Sequence, residues 1–452
     1  MSKLKHDLLL QFGKLLNIAM ITFPFGMCWF LYYANGIHEP FYNTGNIVMI
    51  LLYAFLYAVF TKIYDAFVVS ISRISELVYS AFLAFAMSDL IIYIIICLLS
   101  RRMPNILPGV GALLGQLFMS VTWANAAHEK YFQVFKPNST IVIYDTREGL
   151  ESLIDSYGLA KKFEVKKTLT TDECLEDISV LDNIHTVFLS GVHSHDRNTI
   201  LKYCMEKDIK VFVIPRIGDT LMSGARHMHM FHLPMLRVER DMASIEYLFI
   251  KRTMDIVLSL VALIILSPVL LITALCVKSD GGPALYKQVR LTKDGKEFKI
   301  LKFRSMRVDA EKDGVARLST GENDDRITKV GKVIRACRLD ELPQLINILM
   351  GDLSIVGPRP ERPEIAKQYC EQMPEFALRL RAKAGLTGYA QVYGKYNTTP
   401  YDKLVMDLMY IAHPGIVQDL KIIFATVKIL FMPESTEGVE EGQTTAMSGE
   451  NH

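Results

Sequence analysis

The chain has 452 residues, half of them hydrophobic, and its mean hydropathy is positive. A soluble protein of this size is polar on average, so the composition indicates a membrane protein with more than one domain. The formal net charge is only +2, which argues against a nucleic-acid-binding protein because that class carries a clear basic excess. The 7 cysteines show no metal-ligand spacing and indicate reduced thiols rather than a disulfide framework.

The first part of the chain, residues 1–135, is predicted to be a transmembrane four-helix bundle. Asp89 lies inside the third apolar run and is a candidate functional residue, with a buried, hydrogen-bonded bundle residue as the alternative. Lys3, Lys5 and Lys14 at the first run, and Lys62 and Arg73 after the second, place both ends of the bundle on the cytoplasmic side by the positive-inside rule. The apolar runs of membrane-spanning length lie at residues 13–33, 46–66, 81–100 and 107–126.

The composition changes to a soluble α/β pattern over residues 136–245. Short β-branched runs alternate there with amphipathic stretches, which predicts a parallel sheet built from βαβ units. The turn after the first run, 145–148, lacks the glycine fingerprint of a dinucleotide site, so we expect a Rossmann-like domain with a structural or regulatory role. The predicted strands lie at 140–144, 185–190 and 210–214.

A cluster of histidines and methionines follows at 227–232. No cysteine or acid stands beside it at metal-ligand spacing. We therefore expect a surface loop rather than a metal site.

The last unit, residues 246–433, opens with an apolar run over 253–277 that Ser267 and Pro268 interrupt. Proline removes an intrahelical hydrogen bond and a neighbouring serine can satisfy the freed carbonyl, so this pair predicts a bend. Basic residues at both ends fit a re-entrant helix that enters and leaves by the same leaflet, with a kinked fifth span as the alternative. An acidic tail at 434–452 is predicted to be disordered.

An α+β domain is predicted after this helix. Two strands, 285–291 and 297–303, flank Asp294-Gly295, which is a strong hairpin signal. The hydrophilic stretch 308–325 suits a mobile loop over a site. Helices are expected at 342–350, 401–411 and 416–431.

Two adjacent acids, Asp340 and Glu341, are the most informative residues of this domain. Leucines recur at helical spacing after them and Pro343 is tolerated only in a first turn, so a helix is predicted to begin near Asp340. Both acids would then lie at a positive helix end whose N–H groups suit phosphate oxygens. For the pair alone, the general preference of acids for first turns is the alternative.

Cations surround this acid pair in the sequence. Arg359 lies in a rigid Gly-Pro-Arg-Pro segment, which suits a bidentate contact with a phosphate. Acids beside cations at a phosphate site imply a divalent metal, so we expect Mg²⁺ held by Asp340 and Glu341. The candidate phosphate-binding residues are Lys302, Arg304, Arg335 and Arg359, and the supporting acids are Asp407 and Asp419, for which a solvated helix face is the alternative.

The order of these motifs resembles the bacterial sugar transferases called monotopic polyprenyl phosphate phosphoglycosyl transferases. The N-terminal helices and the Rossmann-like insert resemble the long-form members that start exopolysaccharide, capsule or O-antigen repeat units. Arg338 departs from the small hydroxyl residue common in shorter relatives and leaves the acid pair intact. The resemblance covers nearly all of residues 251–425 and rests on Ser267-Pro268, LKFRSM (301–306), RLDELPQL (338–345), GDLSIVGPRPERPE (351–364), AGLTGYAQVYG (384–394), and MDLMYI followed by QDLKII.

The resemblance implies transfer of a hexose 1-phosphate from a UDP-hexose to undecaprenyl phosphate. Asp340 would form a covalent phosphosugar and release UMP, Glu341 would bind magnesium or handle a proton, and the cations would neutralise phosphate charge. Asp407 and Asp419 would support the site. The enzyme would lie in the bacterial inner membrane with its catalytic domain facing the cytoplasm.

Two other functions fit the sequence. One is a membrane glycosyltransferase that forms a sugar-to-sugar bond and releases UDP, and the other is a non-catalytic scaffold of a polysaccharide assembly complex. The nucleotide product, UMP, UDP or none, distinguishes the three. The sequence leaves open which hexose is moved and the oligomeric state, a homodimer included.

Overall fold

The computed structural model describes residues 3–240, 243–279, 281–307, 326–394 and 398–430. The chain divides into two compact units, Met1–Ile214 and Pro215–His452. The segment from residue 215 to 245, which the sequence analysis joined to the central domain, is therefore part of the second unit. The predicted loop at 308–325 and the predicted acidic tail lie outside the described residues.

Five helices of the described chain are long and apolar enough to cross a membrane, four in the first unit and one in the second. A helix bonds its own backbone groups, which is why apolar segments in lipid take this form. All four apolar runs predicted in the first unit are helical. These helices are α1 Lys3–Cys28, which a π-helical turn at Trp29–Tyr33 extends, α2 Asn43–Ile63, α3 Ile74–Ser100 and α4 Leu107–Val134.

Polar side chains are paired between these four helices. The Tyr57 hydroxyl donates to Asn17 Oδ1 at 2.7 Å, and Gln116 Nε2 donates to the Tyr53 hydroxyl at 2.7 Å. Gln116 Nε2 also lies 3.4 Å from Asp89 Oδ1. Because an unpaired polar group is costly in an apolar environment, these bonds help to fix how the helices pack. Asp89 therefore has a bundle partner, and a functional role for it stays a prediction.

A parallel sheet with strand order β2-β1-β3-β4 forms the rest of the first unit, as the alternating pattern predicted. Strand β2 was not predicted, because its charged residues Glu164, Lys166 and Lys167 mask the alternation. β2 is an edge strand, where charged side chains remain in solvent. The elements are β1 Asn138–Tyr144, α5 Leu150–Ser156, β2 Phe163–Thr170, α6 Thr171–Glu176, β3 Thr186–Ser190, α7 Ser194–Glu206 and β4 Lys210–Val213.

The second unit begins with helix α8, Ile217–Ser223, and a hairpin of β5, Arg226–Met230, and β6, Leu233–Arg237. The histidine and methionine cluster was predicted as a loop, and the structure corrects this prediction: His227 to Met230 form a strand. Phe231 and His232 make the turn with positive φ angles of 56° and 63°. The alternation of polar and apolar residues in this segment fits a strand.

The apolar helix of the second unit, α9, runs from Ile245 to Ser279, with Pro268 inside it. Proline cannot donate to the carbonyl four residues earlier, which is that of Ile264. The Ser267 hydroxyl donates to this same carbonyl oxygen at 2.8 Å. The serine thus satisfies the freed carbonyl, as the sequence predicted.

The domain around α9 matches the predicted hairpin and helices. β7, Leu285–Leu291, pairs with β8, Glu297–Phe303, in antiparallel register, and Asp294 and Gly295 turn between them with positive φ. The buried side chains of Phe298 and Ile300 pack on one core with Leu345, Ile348 and Leu353. The remaining elements are α10 Lys329–Ala336, α11 Gln344–Met350, β9 Ser354–Val356, α12 Pro363–Gln372, β10 Gly385–Thr387, α13 Tyr389–Tyr393, α14 Pro400–Ala412 and α15 Ile416–Leu430, with β9 and β10 parallel.

Helix α9 contacts this domain along its whole length. Near its start, Lys251 Nζ donates to Asp419 Oδ2 at 2.9 Å, and in its middle Leu263 packs on the core formed by Phe298 and Ile300. At its end, Val277 packs with Phe303 and Ile334. One face of α9 is therefore fixed to the domain from one end to the other.

Candidate active site

The acid pair lies in a short 3₁₀ turn, Leu339–Glu341, that precedes α11. A helix was predicted to begin near Asp340, and the structure corrects this prediction: the α-helix itself begins at Gln344. Pro343 has no N–H to donate, and the chain approaches it with bonds to the third residue back, such as Leu342 N–H to Leu339 O at 3.2 Å. Arg338 enters the turn with a φ of 52°, a left-handed conformation that is costly for a side chain with a Cβ.

Glu341 forms ion pairs with two cations. Its Oε1 accepts from Lys302 Nζ at 2.8 Å and lies 3.3 Å from Arg359 Nη2. Burial alone would raise the pKa of Glu341, but the charges of Lys302 and Arg359 outweigh it and hold the pKa below its ordinary value. Glu341 therefore stays ionised and links the β-hairpin to the Arg359 loop.

The pKa of Asp340 is shifted in the opposite direction. Among the described residues it makes no ion pair. Burial and then the charge of Glu341 raise the pKa of Asp340, against the lowering effects of Lys302 and Arg335. Adjacent carboxyls whose pKa values are pushed apart can take different chemical roles. Glu341 is the fixed anion, and Asp340 is the more basic carboxylate, which suits a nucleophile.

Asn347 of α11 positions Lys302. This side chain is fully buried. Its Oδ1 accepts from Leu301 N–H and its Nδ2 donates to Lys299 O, both at 2.9 Å. Both of these backbone groups belong to β8, so Asn347 fixes the strand end that carries Lys302 beside the acid pair.

The loop that carries Arg359 is held from behind by Arg379. Arg379 is buried and donates to Arg359 O at 3.1 Å, to Glu361 Oε1 at 3.2 Å and to Asp407 Oδ2 at 2.7 Å. Burial raises the pKa of Asp407 to about 6, with the charge of Arg379 opposing the shift. Close packing tightens the loop further, because a Cβ on Gly357 would lie 2.2 Å from a neighbouring carbonyl oxygen.

The structure brings together most, but not all, of the residues predicted for the site. Lys302 and Arg359 contact Glu341 directly, and Arg335 lies on α10 close enough for its charge to act on Asp340. Asp407 reaches the site only through Arg379. These positions agree with the predicted grouping, and the role of each residue stays a prediction.

Arg304 and Asp419 lie at other places in the domain. The buried Arg304 guanidinium donates to Val277 O and Pro283 O, each at 3.0 Å, so it joins the end of α9 to the hairpin. Asp419 accepts from Lys251 Nζ and from the Tyr410 hydroxyl, which fixes the start of α9. These contacts favour a structural role for Arg304 over the predicted phosphate contact, and they make Asp419 a support of the membrane helix.

Two buried residues that shape the site were missed in the sequence. Asn347 had a signal, because it is a polar residue on the apolar face of a predicted helix, and such a residue needs hydrogen-bond partners. No feature of the sequence indicated Arg379, since it is one of several cations in a basic stretch. Its importance depends on Glu361 and Asp407, which are distant in the sequence.

The candidate metal ligands of the site are two carboxylates, those of Asp340 and Glu341. No group of three or more histidines, cysteines or acids lies together in the part of the chain that the structure describes. Magnesium commonly binds through one or two carboxylates and completes its shell with water and substrate phosphates. Asp340 and Glu341 supply the number of carboxylates that such a site takes from the protein, and magnesium stays a prediction.

Comparison with known proteins agrees with this geometry. A family model described as "Bacterial sugar transferase" matches residues 246–433. A UDP-N-acetylgalactosamine-undecaprenyl-phosphate N-acetylgalactosaminephosphotransferase of Aeromonas hydrophila is 36% identical over 236 residues, 51% of this chain and 54% of that protein. A UDP-glucose:undecaprenyl-phosphate glucose-1-phosphate transferase of Escherichia coli is 41% identical over 212 residues, 46% of this chain and 44% of that protein.

A shorter relative is matched over almost its whole length. An exopolysaccharide production protein of Rhizobium leguminosarum is 43% identical over 190 residues, 40% of this chain and 94% of that protein. By contrast, the match spans about half the length of the two longer relatives. The chain belongs to the bacterial sugar transferase family.

Proposed function

We propose that the protein transfers a hexose 1-phosphate from a UDP-hexose to undecaprenyl phosphate and releases UMP. The observation that carries this proposal is the pairing of a fixed anion with a more basic carboxylate: Glu341 is bound by Lys302 and Arg359, and Asp340 is not. The names of the relatives support the two substrates, since they act on UDP-sugars and undecaprenyl phosphate.

Asp340 is the proposed nucleophile. One carboxylate oxygen attacks the phosphorus that bears the sugar, and the bond from that phosphorus to the bridging oxygen breaks. UMP leaves with the bridging oxygen and its electron pair. An oxygen of undecaprenyl phosphate then attacks the same phosphorus and breaks the bond to Asp340, which restores the carboxylate. Covalent catalysis of this kind divides one difficult displacement into two.

The cations offset the charge that these steps concentrate. Lys302 and Arg359 already face the acid pair, and Arg335 acts on Asp340 from α10. Magnesium held by Asp340, Glu341 and the donor phosphates would neutralise further negative charge. Asp407 supports the site through Arg379, which keeps the Arg359 loop in position.

We further propose that α9 is re-entrant and that the catalytic domain faces the cytoplasm. A straight helix of 35 residues is about 52 Å long, and the apolar core of a bilayer is about 30 Å thick. The contacts of Lys251 and of Val277 with the same folded domain argue against a crossing, because it would separate them by the membrane. The opposite face of α9 exposes the apolar side chains that would meet lipid, among them Val257, Leu260, Ile264, Ile265, Leu271 and Ile272.

Removal of the nucleophile is expected to abolish turnover. Asp340→Asn keeps the shape of the side chain and removes the attacking oxygen's charge, and Glu341→Gln should be nearly as severe. Release of UMP from a panel of UDP-sugars by purified membranes is the measurement. Asp294→Asn, an exposed acid in the hairpin turn, is the control and should retain wild-type activity. More than a few per cent of activity in Asp340→Asn would contradict the covalent mechanism.

The pH dependence of kcat/KM should change when the charge of Lys302 is removed. Asp340 must be ionised to attack, so activity should fall as the pH falls through its raised pKa. Lys302 lowers that pKa, and Lys302→Met should therefore move the acid limb of the kcat/KM profile to higher pH. Lys299→Met removes an exposed lysine of the same strand and should leave the limb in place. If the acid limb of Lys302→Met stayed at the wild-type pH, the charge of Lys302 would not be what lowers the pKa of Asp340.

Charge neutralisation is tested by metal removal and by one arginine. Activity should be lost in excess chelator and return with added magnesium.

Arg359→Lys keeps the charge but loses the planar fork, so its rate should fall about ten-fold or more. UMP release measures both. Full activity in chelator would reject the metal, and a wild-type rate for Arg359→Lys would show that this residue does not grip a phosphate.

The topology is tested with accessibility tags. Tags after Lys130 and after Gly282 should both report the cytoplasmic side, and opposite sides would reject the re-entrant helix. Pro268→Ala restores a donor to the Ile264 carbonyl and should favour a straight helix. Its activity in membranes should fall, while nucleotide-sugar binding in detergent should change less.

A further inference from the structure

Lys403 of α14 is a cation that the proposed chemistry does not use. Its side chain is partly buried and makes no hydrogen bond or ion pair with the other residues that the structure describes. The neighbouring Leu404 is fully buried and packs against Phe376, so this turn of the helix has a fixed position. A lysine held partly out of water without an anionic partner needs an explanation.

The helix directs Lys403 towards the Arg359 loop. Residues four apart lie on one face of a helix, and Asp407 is four residues after Lys403. Asp407 is bonded to Arg379, which in turn donates to the carbonyl of Arg359. Lys403 is thus on the face of α14 that supports this loop, and its charge is close enough to act on that of Arg359.

Positive charge is in excess at this place. The acids near Lys403 are Glu361 and Asp407, and both are bound to Arg379. Burial lowers the pKa of Lys403, and Arg359 and Arg379 lower it further, against the effect of the two acids. The cations whose charges act here are Arg290, Arg359, Arg379 and Lys403, and they outnumber the three acids Glu341, Glu361 and Asp407. Such a surplus favours binding of an anion.

We propose that Lys403 and Arg359 form a subsite for the phosphate of the nucleotide half of the donor, and so bind the UMP leaving group. This inference rests on the proposed function. The Arg359 side chain contacts Glu341, and its main-chain carbonyl accepts from Arg379, whose partner Asp407 shares a face of α14 with Lys403. The phosphate that bears the sugar would meet Asp340, and the phosphate of UMP would meet Lys403.

This position gives Lys403 a role when the bond breaks. The electron pair of the broken bond stays with the bridging oxygen, and UMP leaves with an added negative charge. An ammonium group beside that phosphate stabilises the charge and also binds UMP as a product. Lys403 would act on the nucleotide half alone and would have no contact with undecaprenyl phosphate.

Inhibition by UMP tests the subsite. Lys403→Met removes the charge at similar length, and UMP inhibition of sugar transfer by the full-length enzyme should weaken about ten-fold or more. Lys403→Arg should keep the inhibition within a few-fold of wild type. Lys367→Met, at an exposed lysine of α12, should leave it unchanged. The KM for undecaprenyl phosphate should stay constant in all three variants.

The wild-type enzyme provides a second measurement that needs no variant. UMP should protect Lys403 from an amine-acylating reagent, read by peptide mass, and should leave Lys367 unprotected. Wild-type UMP inhibition in Lys403→Met, or no protection by UMP, would overturn the subsite. If the wild-type enzyme released no UMP from any UDP-sugar, the proposed function itself would fail, so the two failures are distinguishable.

Discussion

The ion pairs of Glu341 are the interaction on which the candidate active site depends. Lys302 comes from a hairpin and Arg359 from a proline-flanked loop, and Glu341 joins them at a short turn. A carboxylate that is removed from water is tolerated when cations compensate it, and this one is compensated twice. Burial, and then the charge of Glu341, raise the pKa of the adjacent Asp340. Glu341 is thereby held as a fixed anion, and Asp340 is the more basic carboxyl of the pair.

The same domain connects this site to the membrane helix. Arg252 of α9 donates to the last carbonyls of α11, those of Ile348 and Leu349, at 2.6 and 2.9 Å. α11 also contains Asn347, which fixes the strand of Lys302. The position of α9 in the bilayer and the position of the acid pair are therefore mechanically related. In the proposed reaction, α9 would therefore set the height of the acid pair relative to the membrane that carries undecaprenyl phosphate.

Local patterns in the sequence predicted much of this fold. Asp294-Gly295 identified the hairpin, and the strands of the parallel sheet other than β2 were visible as β-branched runs. Strand β2 was not predicted because its lysines lie on an exposed edge strand. The acid pair and Arg359 were found because each sits in a short motif. Arg379 was not, because its role comes from three partners that only the tertiary fold assembles. The bonds of Arg304 to main-chain carbonyls were not predicted for the same reason, since such acceptors have no sequence pattern.

The central claim is that Asp340 carries the sugar phosphate covalently. The most direct measurement uses a UDP-hexose labelled at the phosphorus that bears the sugar, mixed with the full-length enzyme in the absence of undecaprenyl phosphate and quenched rapidly. The account predicts labelled protein, with the label on the peptide that contains Asp340, and its loss when undecaprenyl phosphate is added before the quench. Unlabelled protein, with UMP formed only when undecaprenyl phosphate is present, would contradict it.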